Sequence, residues 1–225
     1  HFDAGIDAKW VPIKGTQWGA DGWAHNQHTE PPFVNGRDSM ICTHPTDASW
    51  TDYSFTLRIE PIRTQAFSGE YWYRAGALFR LSNPEWQFFG FGPHSNYYAL
   101  SFVGPGDADP QSVTLSSVVN GASSGWYRVV TDWAMPTGPI DVTVSVDGAH
   151  IVVSVPGRVL FDVLDPGGPS YGGIGLVNIW ETHARFDDLV VTAINHPSCD
   201  ADFNGDGFID FFDFDDFVTA FETGC

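Results

Sequence analysis

Between residues 50 and 195, apolar and polar positions alternate in short runs, the period of a strand with one buried face. The clearest runs are Tyr53-Ser54-Phe55-Thr56-Leu57-Arg58-Ile59, Ile140-Asp141-Val142-Thr143-Val144-Ser145-Val146 and Ile151-Val152-Val153-Ser154-Val155. Asp147-Gly148 between the last two predicts a hairpin turn. Further strands are predicted at Ala75 to Leu81, Tyr97 to Val103, Gly125 to Thr131, Gly173 to Ile179 and Arg185 to Thr192. No amphipathic helix is predicted before residue 210. Short strands separated by Gly- and Pro-rich turns predict a mainly β protein, an antiparallel β-sandwich or jelly roll.

The alternation stops at His196-Pro197-Ser198, and the composition changes with it. From Cys199 onward there are eight acidic residues, Asp200, Asp202, Asp206, Asp210, Asp213, Asp215, Asp216 and Glu222, and no Lys or Arg. This places a boundary between a sandwich, residues 1–195, and a tail, residues 196–225. Within the tail, the stretch from Asp202 to Asp213 sets side-chain oxygens at loop positions 1, 3, 5, 9 and 12, with Gly207 at the sharp turn of position 6. Adding the carbonyl of Phe208 at position 7, the predicted calcium ligands are Asp202, Asn204, Asp206, Phe208, Asp210 and Asp213. Magnesium, which demands a tighter octahedron, suits this spacing less well.

After the loop, Phe211, Phe214, Phe217, Val218 and Phe221 recur at three- and four-residue spacing, one apolar face of a short helix from about Asp210 to Phe221. So short a helix does not bury such a face alone, so the face is read as a docking surface. Its occupant is this sandwich, a neighbouring subunit or a separate receptor. Cys199 and Cys225 bracket the segment and are expected to pair as a disulfide, while Cys42 reads as a buried apolar residue in a strand.

The order of signatures has a counterpart in known proteins. A Trp-rich start leads to the run Asp47-Ala48-Ser49-Trp50-Thr51-Asp52-Tyr53-Ser54-Phe55 and then to Arg74-Ala75-Gly76-Ala77-Leu78-Phe79-Arg80. Trp126-Tyr127-Arg128-Val129, Gly173-Ile174-Gly175-Leu176 and the run from Ala184 to Val191 follow. Over roughly residues 1–195 this resembles the concanavalin-A-like, laminin-G-like jelly rolls of bacterial secreted proteins. The resemblance implies two facing antiparallel sheets, often with the first and last strands adjacent. Residues 199–225 resemble one dockerin-type calcium repeat, although dockerins carry two. Jelly rolls of this kind host lectins, carbohydrate-binding modules, glycoside hydrolases and adhesive modules, so fold alone does not settle function.

Charge narrows the partners. Acidic residues number 28 against 10 basic ones, a formal net charge of −18, which disfavours nucleic acid and anionic membranes and favours cations. No stretch approaches the ~18 apolar residues of a membrane span. A chain starting at His1 reads as a mature secreted form, so the expected location is extracellular or on a bacterial cell surface.

Catalytic patterns are sparse. None of the six glutamates, Glu30, Glu60, Glu70, Glu85, Glu181 and Glu222, stands in the clustered carboxylate arrangement of laminarinase-like enzymes. A Gly-x-Ser-x-Gly elbow, a phosphate loop and a dinucleotide fingerprint are missing too. The segment from His25 to Glu30, and His1 with its free amino group, are candidate metal ligands of weak spacing. Tyr71, Trp72 and Tyr73 form a candidate sugar-stacking platform, while Trp86, Phe88, Phe89 and Phe91 suit a core or a subunit contact equally. Asp187 and Asp188, beside Asp3, are candidates for a second calcium ion.

The leading expectation is therefore a non-enzymatic, extracellular, calcium-binding structural module that self-assembles into a filament through its tail. The alternative is a carbohydrate-binding, lectin-like module. A glycoside hydrolase or polysaccharide lyase is the third reading.

Overall fold

The structure is a computed structural model that describes residues 10–14, 18–20, 24–26, 39–43, 49–62, 74–84, 86–87, 90–91, 94–103, 111–136, 138–179, 183–195 and 211–223. The chain divides into two compact units, His1–Ala193 and Ile194–Cys225.

Among the described residues, the larger unit is a sandwich of two seven-stranded sheets. Sheet I contains β1 (Trp10–Lys14), β4 (Ser39–Thr43), β15 (Gly173–Ile179), β6 (Arg74–Ser82), β9 (Asn96–Val103), β10 (Ser112–Val119) and β11 (Ala122–Val130), in that spatial order. Sheet II runs β14 (Arg158–Leu164), β13 (His150–Val155), β12 (Ile140–Asp147), β5 (Tyr53–Ile62), β16 (His183–Ala193), β3 (Ala24–Asn26) and β2 (Trp18–Ala20). A small hairpin pairs β7 (Trp86–Gln87) with β8 (Gly90–Phe91). The pairings are antiparallel throughout.

The alternating runs do what their period demands. On β12, Ile140, Val142, Val144 and Val146 are buried while Asp141, Thr143 and Asp147 face solvent. Phe55, Leu57 and Ile59 of β5 and Phe79, Leu100 and Phe102 of the opposite sheet meet them in one core. The hairpin lies one residue later than the sequence places it. Asp147 pairs with His150, so Gly148 and Ala149 form the turn, and Gly148 supplies the positive φ of 53° at its first position. The last strand, β16, lies between β5 and β3, whereas β1 belongs to the other sheet, so adjacency of the chain ends involves β3 instead of β1.

Sheet I departs from simple alternation. Residues 75–82 of β6 are buried on both faces, as expected of a strand whose run is nearly all apolar. Arg80 stands at a register shift with φ of 48°, and a guanidinium there must be satisfied inside the protein. It donates to the carbonyls of Thr51 (2.8 Å) and Pro169 (3.1 Å). Its backbone N–H donates to the Tyr53 hydroxyl at 2.9 Å. Tyr98, also fully buried, donates to the Asp165 carboxylate at 3.1 Å. These bonds fix one end of the sandwich with few buried polar atoms left over.

In the smaller unit, α1 spans Phe211–Thr223, which extends past the Phe221 end suggested by the sequence, while Asp210 lies outside the described residues. Asp213 lies in its first turn, where a carboxylate is favoured by the helix dipole.

Candidate functional site

The outer face of sheet I follows from the register. Residues directly opposite on neighbouring antiparallel strands point to the same side. One row joins Gly175, Leu78, Ala99, Ser116 and Tyr127, and the next joins Val177, Gly76, Ser101, Thr114 and Val129. Tyr97, two residues before Ala99, opens on the same side. None of these positions faces the core between the sheets. Leu78 and Val177 are buried yet stand outside the core cluster that joins the two sheets.

Exposure rises across the face. Leu78 is 2% exposed, Ser101 and Thr114 are buried, Ala99, Ser116 and Tyr97 are half-buried, and Tyr127 and Val129 are 52% and 44% exposed. The result is a floor of small side chains with tyrosines at two of its borders. From strand and residue spacings, Tyr97 and Tyr127 stand roughly 12 Å apart between Cα atoms. Glycine is required at one place in the floor. A Cβ on Gly76 would overlap the Leu100 carbonyl of the neighbouring strand.

Local bonds hold this region in shape. Val119 pairs with Ala122, leaving Asn120 and Gly121 as a two-residue turn with φ of 52° and 72°, the primed hairpin geometry. The Asn120 N–H donates to the Asn96 side-chain carbonyl at 2.8 Å, and the Gly121 N–H to the Ser95 carbonyl at 2.8 Å. Trp126, on the inner side of β11, packs against Tyr98 edge-on and carries Arg128 over its ring at 4.9 Å. Desolvation pushes the Tyr97 hydroxyl up to about 12, so it stays a neutral donor and acceptor at ordinary pH.

The outer face of sheet II is built differently. Ser54, Thr56, Thr143, Ser145 and Ser154 give it hydroxyls, and charge is paired along it. Arg58 reaches Asp141 at 2.8 Å and Asp188 at 2.7 Å. That arrangement gives Asp188, a candidate ligand of a second calcium ion in the sequence, a cationic side-chain partner. Asp187 is buried beside it, and Asp3 lies outside the described residues. His150 and Asp162 pair at 2.7 Å, and Arg158 and Asp132 at 2.6 Å.

The sequence-predicted sites are unevenly represented. Asp202, Asn204, Asp206, Phe208 and Asp210, the pair Cys199 and Cys225, and Tyr71, Trp72 and Tyr73 all lie outside the described residues. Of the calcium set, Asp213 is described and is 3% exposed. The described residues contain no group of three or more His, Cys, Asp or Glu arranged to hold a metal. Cys42 lies in β4, His25 in β3, Trp86 in β7 and Phe91 in β8, as backbone positions. On α1, Phe211, Phe214 and Phe221 are exposed, Phe217 is partly so, and Val218 is half-buried. No described helix is long and apolar enough to cross a membrane.

Tyr97 and Tyr127 were not marked by sequence as site residues, although both fall in predicted strands. The missing link was β10, which joins their strands. Asn120-Gly121 between Val119 and Ala122 was the signal that would have revealed it.

No family model matches the chain, and no curated protein sequence is similar to it. Solved structures do resemble it. The carbohydrate-binding module CBM66 of Bacillus subtilis aligns at 18% identity over 82% of this chain and 96% of that one, with a TM-score of 0.51. A Bacillus subtilis protein of unknown function with a galectin-like fold aligns at 15% identity over 82% and 89%, with a TM-score of 0.58. The β-glucanase of Bacillus licheniformis aligns at 9% identity over 84% and 94%, with a TM-score of 0.58. At these identities the likeness is one of fold, and the fold is a galectin/concanavalin-like β-sandwich jelly roll.

Proposed function

We propose that the sandwich is a non-catalytic, lectin-like carbohydrate-binding module whose site is the accessible part of sheet I's outer face. The observation that carries this reading is the pair Tyr97 and Tyr127 bordering the partly accessible Ala99 and Ser116. Aromatic faces take up the C–H side of a sugar ring, and hydroxyls beside them set its orientation. The separation of the two tyrosines suits a short oligosaccharide better than a single sugar. That a carbohydrate-binding module and a glucanase share this fold supports the reading without choosing a glycan.

Binding is favoured over hydrolysis by the chemistry of the face. Its described positions carry no Asp or Glu, whereas most glycoside hydrolases use a carboxylate pair. The test is retention of the full chain on a panel of neutral and acidic polysaccharides, alongside an assay for new reducing ends or unsaturated products. Retention on one glycan class, reduced at least about tenfold in Tyr127→Ala with the melting temperature preserved, is the expected result. Product formation on any polymer would replace this reading with an enzymatic one. No retention across the panel would discard both.

The tail's calcium reading belongs to the same proposal. A buried Asp213 in the first turn of α1, at loop position 12, fits a carboxylate held for a cation. Bound there, calcium would order the preceding loop, and an external polysaccharide as ligand accords with the extracellular location expected from the sequence. Self-assembly into a filament remains a separate expectation with its own test, sedimentation with and without calcium.

A further inference from the structure

Trp126 and Tyr98, both oxidisable by one electron, meet edge-on with ring centroids 5.8 Å apart. Electron transfer falls off steeply with distance, and rings in contact exchange an electron readily. Trp126 is half-buried on β11, the strand at the end of sheet I, whereas Tyr98 is fully buried. The pair therefore leads from an accessible edge into the core.

Charge sets the direction. The Arg128 guanidinium lies over the Trp126 ring at 4.9 Å, and a cation there opposes a positive hole on the indole. Tyr98 has the opposite neighbour. Its hydroxyl donates to the buried Asp165 carboxylate at 3.1 Å, so a base is in place to take the phenolic proton. Burial first, and then the charge of Asp165, raise the pKa of the phenol, with Arg80 pulling the other way by less. The phenol thus keeps its proton until it is oxidised, and electron and proton leave together.

The core stops the hole there. Phe79 stacks on Tyr98 at 5.1 Å, and beyond it Phe55 leads to Tyr53, two phenylalanine rings that are far harder to oxidise. Trp50 and Tyr53 repeat the Trp–Tyr contact at 5.7 Å, but the Tyr53 hydroxyl points to the Gly172 carbonyl, which is not a base.

We propose that Trp126 and Tyr98 carry an oxidising equivalent inward, Trp126 as the entry and Tyr98 as its resting place, a buried neutral tyrosyl radical. A one-electron oxidant takes an electron from Trp126, leaving the reduced oxidant and an indole radical cation. An electron from Tyr98 restores Trp126 while the phenolic proton passes to Asp165. The products are the tyrosyl radical, protonated Asp165 and the reduced oxidant. This inference does not depend on the glycan site.

The test photogenerates tris(bipyridine)ruthenium(III) with the full chain and follows radicals by transient absorption and electron paramagnetic resonance. With nine tryptophans and seven tyrosines in the chain, variants assign the signals. In the parent chain a tyrosyl radical should grow as an indole radical decays. Tyr98→Phe should remove that growth and prolong the indole phase, and Trp126→Phe should lower the tyrosyl yield. Asp165→Asn, which keeps an acceptor oxygen but removes the base, should slow the growth at least about tenfold. Arg128→Gln changes an exposed side chain, leaves the buried bonds intact and should slow the growth by a smaller factor, so the direction of transfer is tested even where a buried variant folds poorly. A tyrosyl signal unchanged by Tyr98→Phe, growth indifferent to Arg128→Gln and to a folded Asp165→Asn, or a parent chain with indole radicals alone would each overturn the proposal.

Discussion

The two outer faces of the sandwich share one backbone geometry and differ in almost everything else. Sheet II presents hydroxyls and acids whose charge is already paired, as Arg58 shows by holding both Asp141 and Asp188. Sheet I presents small side chains, a buried apolar strip at Leu78 and Val177, and tyrosines near its accessible side. A solvated face satisfied by its own ion pairs has little to gain from a ligand. On the second face Leu78, Val177, Ser101 and Thr114 are already buried within the chain, so a ligand would meet the part that carries Ala99, Ser116, Tyr97 and Tyr127.

The comparison breaks most violently at Gly76. Replacing it with Val places a methyl-bearing carbon into the Leu100 carbonyl and forces β6 from β9. The expected loss is 3 kcal/mol or more by order of magnitude, seen as insoluble expression or a melting temperature lowered by more than roughly 10 °C. A well-folded Gly76→Val protein would mean that β6 and β9 are farther apart than described.

A more selective cut exchanges the faces. Tyr97→Ala with Tyr127→Ala should lower glycan retention at least about tenfold, and Thr143→Ala on sheet II should leave it unchanged, as read by affinity electrophoresis. If the Thr143 variant is the one that loses binding, the site belongs to sheet II.

Alkaline titration separates the faces by a smaller amount. The folded pKa of Tyr97 lies near 12, above its ordinary value of 10.0, because burial disfavours the phenolate. Its contribution to stability is therefore complete below pH 10 and is lost as pH rises from about 10 through about 12, a fall of order 2 kcal/mol. Tyr97→Phe should flatten that part of a stability-versus-pH curve measured by denaturant unfolding. Burial raises Tyr53 and Tyr98 further, so their loss continues at higher pH. A curve unchanged by Tyr97→Phe would place that hydroxyl in water.

Smallest of all is Arg58→Ala. Its ion pairs are solvent-exposed and salt-screened, and no measurable change in melting temperature or glycan retention is expected in calorimetry and retention assays.

Legibility in the sequence follows how local the determining force is. β5, β12 and β13 were readable because alternation depends on neighbours two residues apart, and the same holds for the phenylalanine spacing of α1. β10 was not, since Ser112-Val113-Thr114-Leu115-Ser116-Ser117-Val118-Val119 mixes hydroxyls with apolar residues, and Ser117 is itself buried, bonded at 2.5 Å to Ser124. The buried Arg80 was equally opaque. Its positive φ and its carbonyl partners on two distant loops come from a bulge that no local pattern announces.

By itself, then, the sequence determined a two-faced β architecture, an acidic tail with calcium spacing, and an aromatic helix, because periodicity and composition act over a few residues. Only the tertiary structure decided that Tyr97 and Tyr127 share one face across β10 and that Asp188 meets Arg58. Strand register between segments far apart in the chain brings such residues together, and register is fixed by the packing of the whole core.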